Sequence, residues 1–395
     1  MFIFPDITYR NPGGAENLIF QVITQMLKSH GQESMVIGTQ ESYLVKRLTS
    51  ENILFKFVDQ NKMPKNISAN DLDVIILFHN YDGLDKLKAL KCKVLIWGIL
   101  ASQITGWNRF GFEKTISGKK VTGEFFTRKL LAEMSEKNAL ISMDGATCDE
   151  IDRFVGHPLR LPIISIPVDI EQLPLANMGS KSNSDSLRLS YIGRSDDIWK
   201  IKPVKKIIAD LARLNNCDFT VSIYTKESEP FKRELDSVSA PNITVQFHLG
   251  IYGAELRNHL NRNSDLHFSM GTAALEGACA GLPVVLMDAS IHDFPSNYRY
   301  RWLCETERCS LGRFIDQNES NFAGMQMKEV VEACLNEKSR KHIESMCFSY
   351  VVQNHSVTAI VNTLINHKSS ARMRDIVRNT PATWTAVSAL KWLIA

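Results

Sequence analysis

No Cys-x-x-Cys pair occurs among the eight cysteines of this 395-residue chain, at positions 92, 148, 217, 279, 304, 309, 334 and 347. Neither a zinc ribbon nor a redox motif is therefore expected, and a chain of this length needs no disulfide staples. Apolar runs approaching the ~18 residues of a spanning helix are absent as well. There is no basic segment followed by an apolar core and a cleavage site, and Met1-Phe2-Ile3-Phe4 leads straight into Pro5-Asp6 like a first strand. The expectation is a cytoplasmic protein. Charge of one sign is also lacking: 46 basic residues face 43 acidic ones, for a net +3, too small an excess for a nucleic-acid binder. What is present is ordinary globular composition, 44% hydrophobic and 23% charged. A substantial core can be buried, and the length suits two or three domains.

Short apolar runs alternate with helix-period segments, the pattern of parallel α/β architecture. The first half offers strands at 2–4, 34–38, 53–58, 73–78, 94–97, 139–143 and 163–166, with helices at 13–29, 43–48 and 123–137 and a Lys-rich helix before residue 92. Residues 101–122 read as a loop rich in glycine and basic residues. A polar stretch over 172–186 reads as a linker. Beyond it come strands at 187–192, 219–224, 243–247, 266–269 and 283–287. Helices are expected at 203–214, 231–237, 254–263 and 272–280, and in long segments over 327–366. The division expected is an N-terminal Rossmann-like domain (1–170), a linker (171–186), a second Rossmann-like domain (187–365) with helices crossing back, and a tail (366–395). The tail carries Lys368, Arg372, Arg374, Arg378 and Lys391 against Asp375, together with Trp384 and Trp392. Such a segment suits packing across the domains or an anionic membrane surface.

Open parallel sheets bind ligands at the carboxyl ends of their strands. Candidates therefore come from residues just after strands. Gly13 and Gly14, in Asn11-Pro12-Gly13-Gly14-Ala15-Glu16, open a helix where amides and the helix dipole favour an anion; a tight turn accounts for them equally. Arg194, in Gly193-Arg194-Ser195-Asp196-Asp197, is followed by Lys200 and Lys202. A guanidinium fork with a lysine suits a diphosphate, against the alternative of a solvated charged turn. Gly271 and Thr272 begin a small-residue helix in which Glu276 lies one turn on, facing the same side as Thr272. A carboxylate there can accept from a ribose diol; pairing with a structural arginine is the alternative. His79, after the apolar run 74–78, could bond a sugar hydroxyl or move a proton, or simply cap the strand. Asp71-Leu72-Asp73 has the look of a metal motif but reads as solvated strand entry, and no metal is expected.

Gly13-Gly14-Ala15-Glu16, Gly193-Arg194 with its downstream lysine, and Leu275-Glu276-Gly277-Ala278-Cys279-Ala280-Gly281-Leu282-Pro283-Val284-Val285 together resemble GT-B glycosyltransferases. They are most similar to the retaining family 4 group that assembles bacterial surface polysaccharides. Ile166-Pro167-Val168-Asp169 and residues 242–265 resemble further parts of that pattern. The resemblance implies two Rossmann-like domains facing a central cleft, with a nucleotide sugar held mainly by the second. It implies Arg194 and Lys200, or Lys202 in its place, on the diphosphate and Glu276 on the ribose. Gly13 and Gly14 would approach the phosphates, Gly250 would lie beside the base, and His79 would touch the sugar. His79, Arg194, Lys200 and Glu276 are thus the catalytic candidates. The donor would be a substrate, with no cofactor and no metal. The acceptor would be a polysaccharide or lipid-linked glycan of lipopolysaccharide, capsule or exopolysaccharide assembly, at the inner face of the membrane. One departure stands out. The group often has a second glutamate eight residues before Glu276, where this chain has Phe268. A nucleotide-sugar epimerase of the same fold and a catalytically silent scaffold at the membrane are the rival readings.

Overall fold

The computed structural model describes residues 1–5, 14–60, 73–77, 90–99, 101, 113–116, 119–170, 186–214, 217–238, 240–316, 319–373 and 375. Gly13, Asp71, His79, the Lys-rich helix, most of the linker and most of the tail lie outside them. The chain divides into two compact units, Met1–Pro167 with Val357–Ala395, and Val168–Ser356.

In the first unit, β1 (Phe2–Pro5), β2 (Ser34–Gly38), β3 (Phe55–Asp59), β4 (Val74–Leu77), β5 (Lys93–Gly98) and β8 (Leu140–Ser142) form one sheet. Its order is β3-β2-β1-β4-β5-β8, with every pairing parallel. The inner strands are buried on both faces, so they read as unbroken apolar runs such as Phe2-Ile3-Phe4 and Val94-Leu95-Ile96-Trp97. Trp97 donates its ring N–H to the Ile164 carbonyl at 2.8 Å, which satisfies the one polar atom that this core side chain brings inside. The edge strand β3 is only partly buried and exposes Lys56. Helices α1 (Gly14–His30), α2 (Tyr43–Ser50), α3 (Gly123–Glu136), α4 (Gly145–Val155) and, from the far end of the chain, α11 (Val357–Asn366) belong to this unit. Gln25 of α1 donates to the Thr358 hydroxyl of α11 at 2.9 Å.

Three expectations for this unit change. Residues 113–122 contain an antiparallel pair, β6 (Glu113–Ile116) and β7 (Lys119–Thr122), inside the stretch read as loop. The run 163–166 is no strand; only Ile163 bridges to Ser142, because Pro162 and Pro167 at its flanks have no N–H for a ladder. Asp73 is no solvated entry residue either. It is buried, 3.0 Å from the amino group of Met1.

The second unit repeats the plan. β9 (Ser186–Ile192), β10 (Asp218–Thr225), β11 (Ile243–Leu249), β12 (Leu266–Ser269), β13 (Val284–Leu286) and β14 (Arg301–Trp302) lie in the order β11-β10-β9-β12-β13-β14. All pairs are parallel except the last. Its helices are α5 (Ile198–Leu211), α6 (Glu229–Leu235), α7 (Gly253–Asn263), α8 (Thr272–Cys279), α9 (Met327–Leu335) and α10 (Glu337–His355). α5 starts five residues earlier than its sequence suggests, because Pro203 sits inside the helix and not at its first turn. Proline cannot bond the carbonyl four residues back, which loosens this turn. The Tyr191 hydroxyl donates to the neighbouring Lys200 carbonyl at 2.6 Å. Both sheets thus have the doubly wound order in which strand direction of travel reverses between the first and fourth strands. In the second unit that reversal lies between β9 and β12. Among the described residues no helix is long and apolar enough to cross a membrane.

Candidate functional site

The reversal point brings together two loops of different composition. β9 ends in Ile192 and runs into Gly193-Arg194, while β12 ends in Ser269 and runs into Met270-Gly271. The Ser269 hydroxyl donates to the Ile192 carbonyl at 3.0 Å, so the two strand ends are tied where the loops leave the sheet. Gly193 is required by space: a Cβ there would lie 2.5 Å from the buried Tyr191 ring. Gly271 is required by conformation, with φ 60° and ψ −144°, a region other residues avoid. Its amide bonds the Leu311 carbonyl at 2.7 Å. Helix α8 then opens with the Thr272 and Ala273 amides, first-turn donors that no helix satisfies internally.

On the β9 side, the exposed Arg194 guanidinium bonds Asp197 and lies 3.4 Å from Asp196. Lys200 is placed differently. It is partly buried, its ammonium lies 4.8 Å from the Trp199 ring centre, and among the described residues no carboxylate comes within ion-pair distance. Burial, and then the positive charge of Arg194, hold its pKa below the usual lysine value. Neighbouring lysines are all compensated. Lys202 lies 2.6 Å from Glu234 and 2.8 Å from Asp293, Lys205 shares both carboxylates, and Lys206 reaches Asp210 at 2.9 Å. Lys202, offered by spacing as a substitute for Lys200, is thus committed to a structural cross-link. Of these lysines Lys200 is the one without a carboxylate at ion-pair distance among the described residues, and Asp197 and Asp196 offset its burial only in part.

On the β12 side, Glu276 points one turn beyond Thr272, as its spacing suggests, and it does have an arginine partner. Arg257 of α7, 5% exposed, places Nε 2.5 Å from Glu276 Oε2 and Nη1 2.7 Å from the Asp169 carbonyl. The structure shows the arginine pairing: Arg257 holds one oxygen of Glu276, and the carboxylate is about one-fifth exposed. Phe268 is 1% exposed in β12 and packs edge-on against Tyr300 at 6.0 Å. It lies in the core, so a carboxylate at this position would be buried against an aromatic ring. Gly250, with φ 73°, follows β11 beside a cluster in which the Tyr224 hydroxyl bonds His259 at 2.8 Å and stacks on His248. Burial, and secondarily His259, push the His248 pKa down. Gly14 is the first residue of α1, and Gly13 and His79 lie outside the described residues.

Sequence reasoning missed two residues of this site. Arg257 sits between Leu256 and the Leu260 position on the buried stripe of α7, and a charge on an apolar stripe is the only local signal. His267, fully buried in β12, bonds Ser190 Oγ through Nδ1 at 2.9 Å and the Ala273 carbonyl through Nε2 at 3.2 Å. A carbonyl only accepts, so Nε2 carries the proton and Nδ1 accepts from the Ser190 hydroxyl. His267 thus fastens the first turn of α8 to the sheet. Burial lowers its pKa from 6.5 to about 4. The unfolded chain then binds more protons between these values, so the stability that neutral His267 contributes is full above pH 6.5 and is lost as pH falls toward 4. A shift of this size corresponds to about 3 kcal/mol. Urea unfolding at pH 7 and pH 5 is expected to show a decline in the wild type that is clearly smaller in His267→Phe, which lacks this titrating group and keeps the lesser contribution of His248. Equal declines would remove His267 as the source.

Among the described residues no group of three or more His, Cys, Asp or Glu side chains is arranged to hold a metal ion. No protein-family model matches the sequence, and no curated protein matches it. The fold, by contrast, has many counterparts. A glycosyltransferase from Rickettsia africae ESF-5 superimposes with a TM-score of 0.58 over 92% of this chain and 96% of its own, at 14% identity. The lipopolysaccharide outer core galactosyltransferase WaaB, in its apo form, gives 0.55 over 93% and 98%, at 10% identity. A mutant O-GlcNAc transferase of Thermobaculum terrenum gives 0.51 over 93% and 66%, at 10% identity. With two doubly wound units built on predominantly parallel sheets, and these counterparts, the chain has the GT-B fold.

Proposed function

We propose that this protein is a glycosyltransferase that moves a sugar from a nucleoside diphosphate donor to a polysaccharide or lipid-linked acceptor. Bacterial surface glycan assembly is the proposed context, in keeping with the likeness in fold to WaaB, a lipopolysaccharide outer core galactosyltransferase. The observation that carries the reading is Lys200, a partly buried ammonium beside Arg194 with no carboxylate of its own among the described residues. Two adjacent cations that repel each other are stabilised by a polyvalent anion such as a diphosphate.

In the mechanism, Arg194 exchanges its loop aspartates for phosphate oxygens, and Lys200 supplies a second positive charge. The Thr272 and Ala273 amides at the start of α8 add the helix-terminus contribution. As the glycosidic bond to the diphosphate breaks, negative charge grows on the leaving oxygens, and these preoriented donors stabilise it more in the transition state than in the ground state. Glu276 accepts from the ribose and holds the donor in register. Because protein cations and amides meet the phosphate charge, the proposal includes no bridging metal. Retention at the anomeric carbon is the course that the resemblance to the retaining group, carried in part by residues 275–285, implies.

The test is to supply nucleotide sugars with and without glycan acceptors, in the presence of a chelator, and to analyse nucleotide and sugar products. Acceptor-dependent release of nucleoside diphosphate is expected. Conversion of the nucleotide sugar without any acceptor would instead establish an epimerase, and no turnover with any donor would favour a silent scaffold.

A further inference from the structure

Arg257 is an expensive residue to place where it is. It lies on the buried stripe of α7 between residues that make ordinary apolar contacts, and an aliphatic side chain would continue that stripe without desolvating a charge. Its guanidinium spends one N–H on Glu276 Oε2 and another on the Asp169 carbonyl, at 2.5 and 2.7 Å. One rigid planar group therefore fixes the carboxylate against a backbone atom of a different segment. Glu276 loses its freedom to rotate, while Oε1 has no hydrogen-bond partner among the described residues. The carboxylate is a single-oxygen acceptor of fixed direction beside the start of α8.

We propose that Arg257 is a positioning residue, and that by locking Glu276 it makes the site selective for ribonucleoside over 2′-deoxyribonucleoside diphosphates. This rests on the donor-site reading above. A site built around a fixed acceptor discriminates strongly against a ligand that lacks the matching hydroxyl, because the acceptor is then left unpaired. A carboxylate free to swing takes water in place of that hydroxyl and discriminates little. A merely structural Arg257 predicts something else: its loss would alter folding, or both affinities together, and leave their ratio unchanged.

The experiment measures binding of UDP, GDP and ADP, each with its 2′-deoxy counterpart, to the full chain by calorimetry. For whichever base binds best, the wild type is expected to prefer the ribo form by about tenfold or more. Arg257→Gln is expected to reduce the preference to about twofold, and Arg257→Lys, which keeps the charge and one donor, to retain part of it. Should Arg257→Gln fail to fold beside an unpaired carboxylate, the comparison passes to Glu276→Gln. That variant keeps the Asp169 contact and is expected to lose the preference as Arg257→Gln would. A folded Arg257→Gln with the wild-type ratio, a wild type without preference, or a Glu276→Gln with full preference overturns the inference while leaving the donor site standing. If none of the diphosphates binds the wild type, the donor-site reading fails first and the inference with it.

Discussion

Lys200→Met is expected to abolish most transfer activity while leaving the protein at least as stable as the wild type. Each charge-assisted contact to phosphate is worth about 1.5–3 kcal/mol. Removing both cations with Arg194→Ala/Lys200→Met should therefore cost about 3–6 kcal/mol of transition-state stabilisation, or roughly 10²–10⁴ in kcat/KM. The single variants are expected to differ. Arg194 must first leave Asp197 and Asp196, whereas Lys200 has no competing carboxylate among the described residues, so more of its interaction is available to the donor. Stability separates this role from a structural one. Burial and the Arg194 charge disfavour protonated Lys200 in the folded state, so methionine relieves a strain that the wild type carries at neutral pH. Kinetics and melting temperatures of the two single variants and the double variant check this. Normal turnover in Lys200→Met would remove Lys200 from the site.

The second large effect is steric. Gly277 lies in α8 with the His267 ring against it, and an added Cβ would fall 2.1 Å from Cδ2 and 2.7 Å from Cγ. The ring cannot step aside, because Ser190 and the Ala273 carbonyl hold its two nitrogens. Alanine in a helix interior normally gains about 1 kcal/mol over glycine. Overpacking a rigid contact costs about 1–3 kcal/mol, and an overlap this deep belongs at or beyond the upper end. Gly277→Ala is therefore expected to destabilise the second unit by about 2 kcal/mol net and to displace the start of α8. On a His267→Ala background, itself less stable for the lost bonds and the cavity, Gly277→Ala should cost less than in the wild type, because the ring it meets is gone. Denaturant unfolding of the two single variants, the double variant and the wild type gives the comparison, and a Gly277→Ala protein as stable as wild type would contradict the packing described.

Much of the architecture was legible because its signal is local. Strands buried on both faces appear as short unbroken apolar runs, and β2 and β12 fall where those runs lie. Glycines at 193 and 271 mark loop exits for two different reasons, space and conformation, and both point to the same edge of the sheet. Where the reading slipped, a local rule met a longer-range one. Pro203 looks like a first-turn proline, yet α5 begins at Ile198 and carries it in the interior. The run 163–166 has strand composition, but its flanking prolines leave it with a single bridge. The site was legible to the level of residue type and not of partnership. Nothing near Lys202 in sequence announces Glu234 and Asp293, 32 and 91 positions away. Likewise Arg257 and Glu276 meet only because α7 and α8 pack together. A buried ion pair of this kind is a tertiary fact.

The central claim is that the carboxyl edge of the second sheet, at β9 and β12, receives a nucleoside diphosphate. Thermal melting with UDP, GDP, ADP, CDP and dTDP, run in parallel on the wild type and on Arg194→Ala/Lys200→Met, tests it most directly. A ligand that binds only the folded state raises its stability by mass action, about 2.7 kcal/mol at a hundredfold excess over Kd. At least one of these diphosphates is expected to raise the wild-type melting temperature in a concentration-dependent way and to leave the double variant unmoved. No shift with any of them, or the same shift in both proteins, would contradict it.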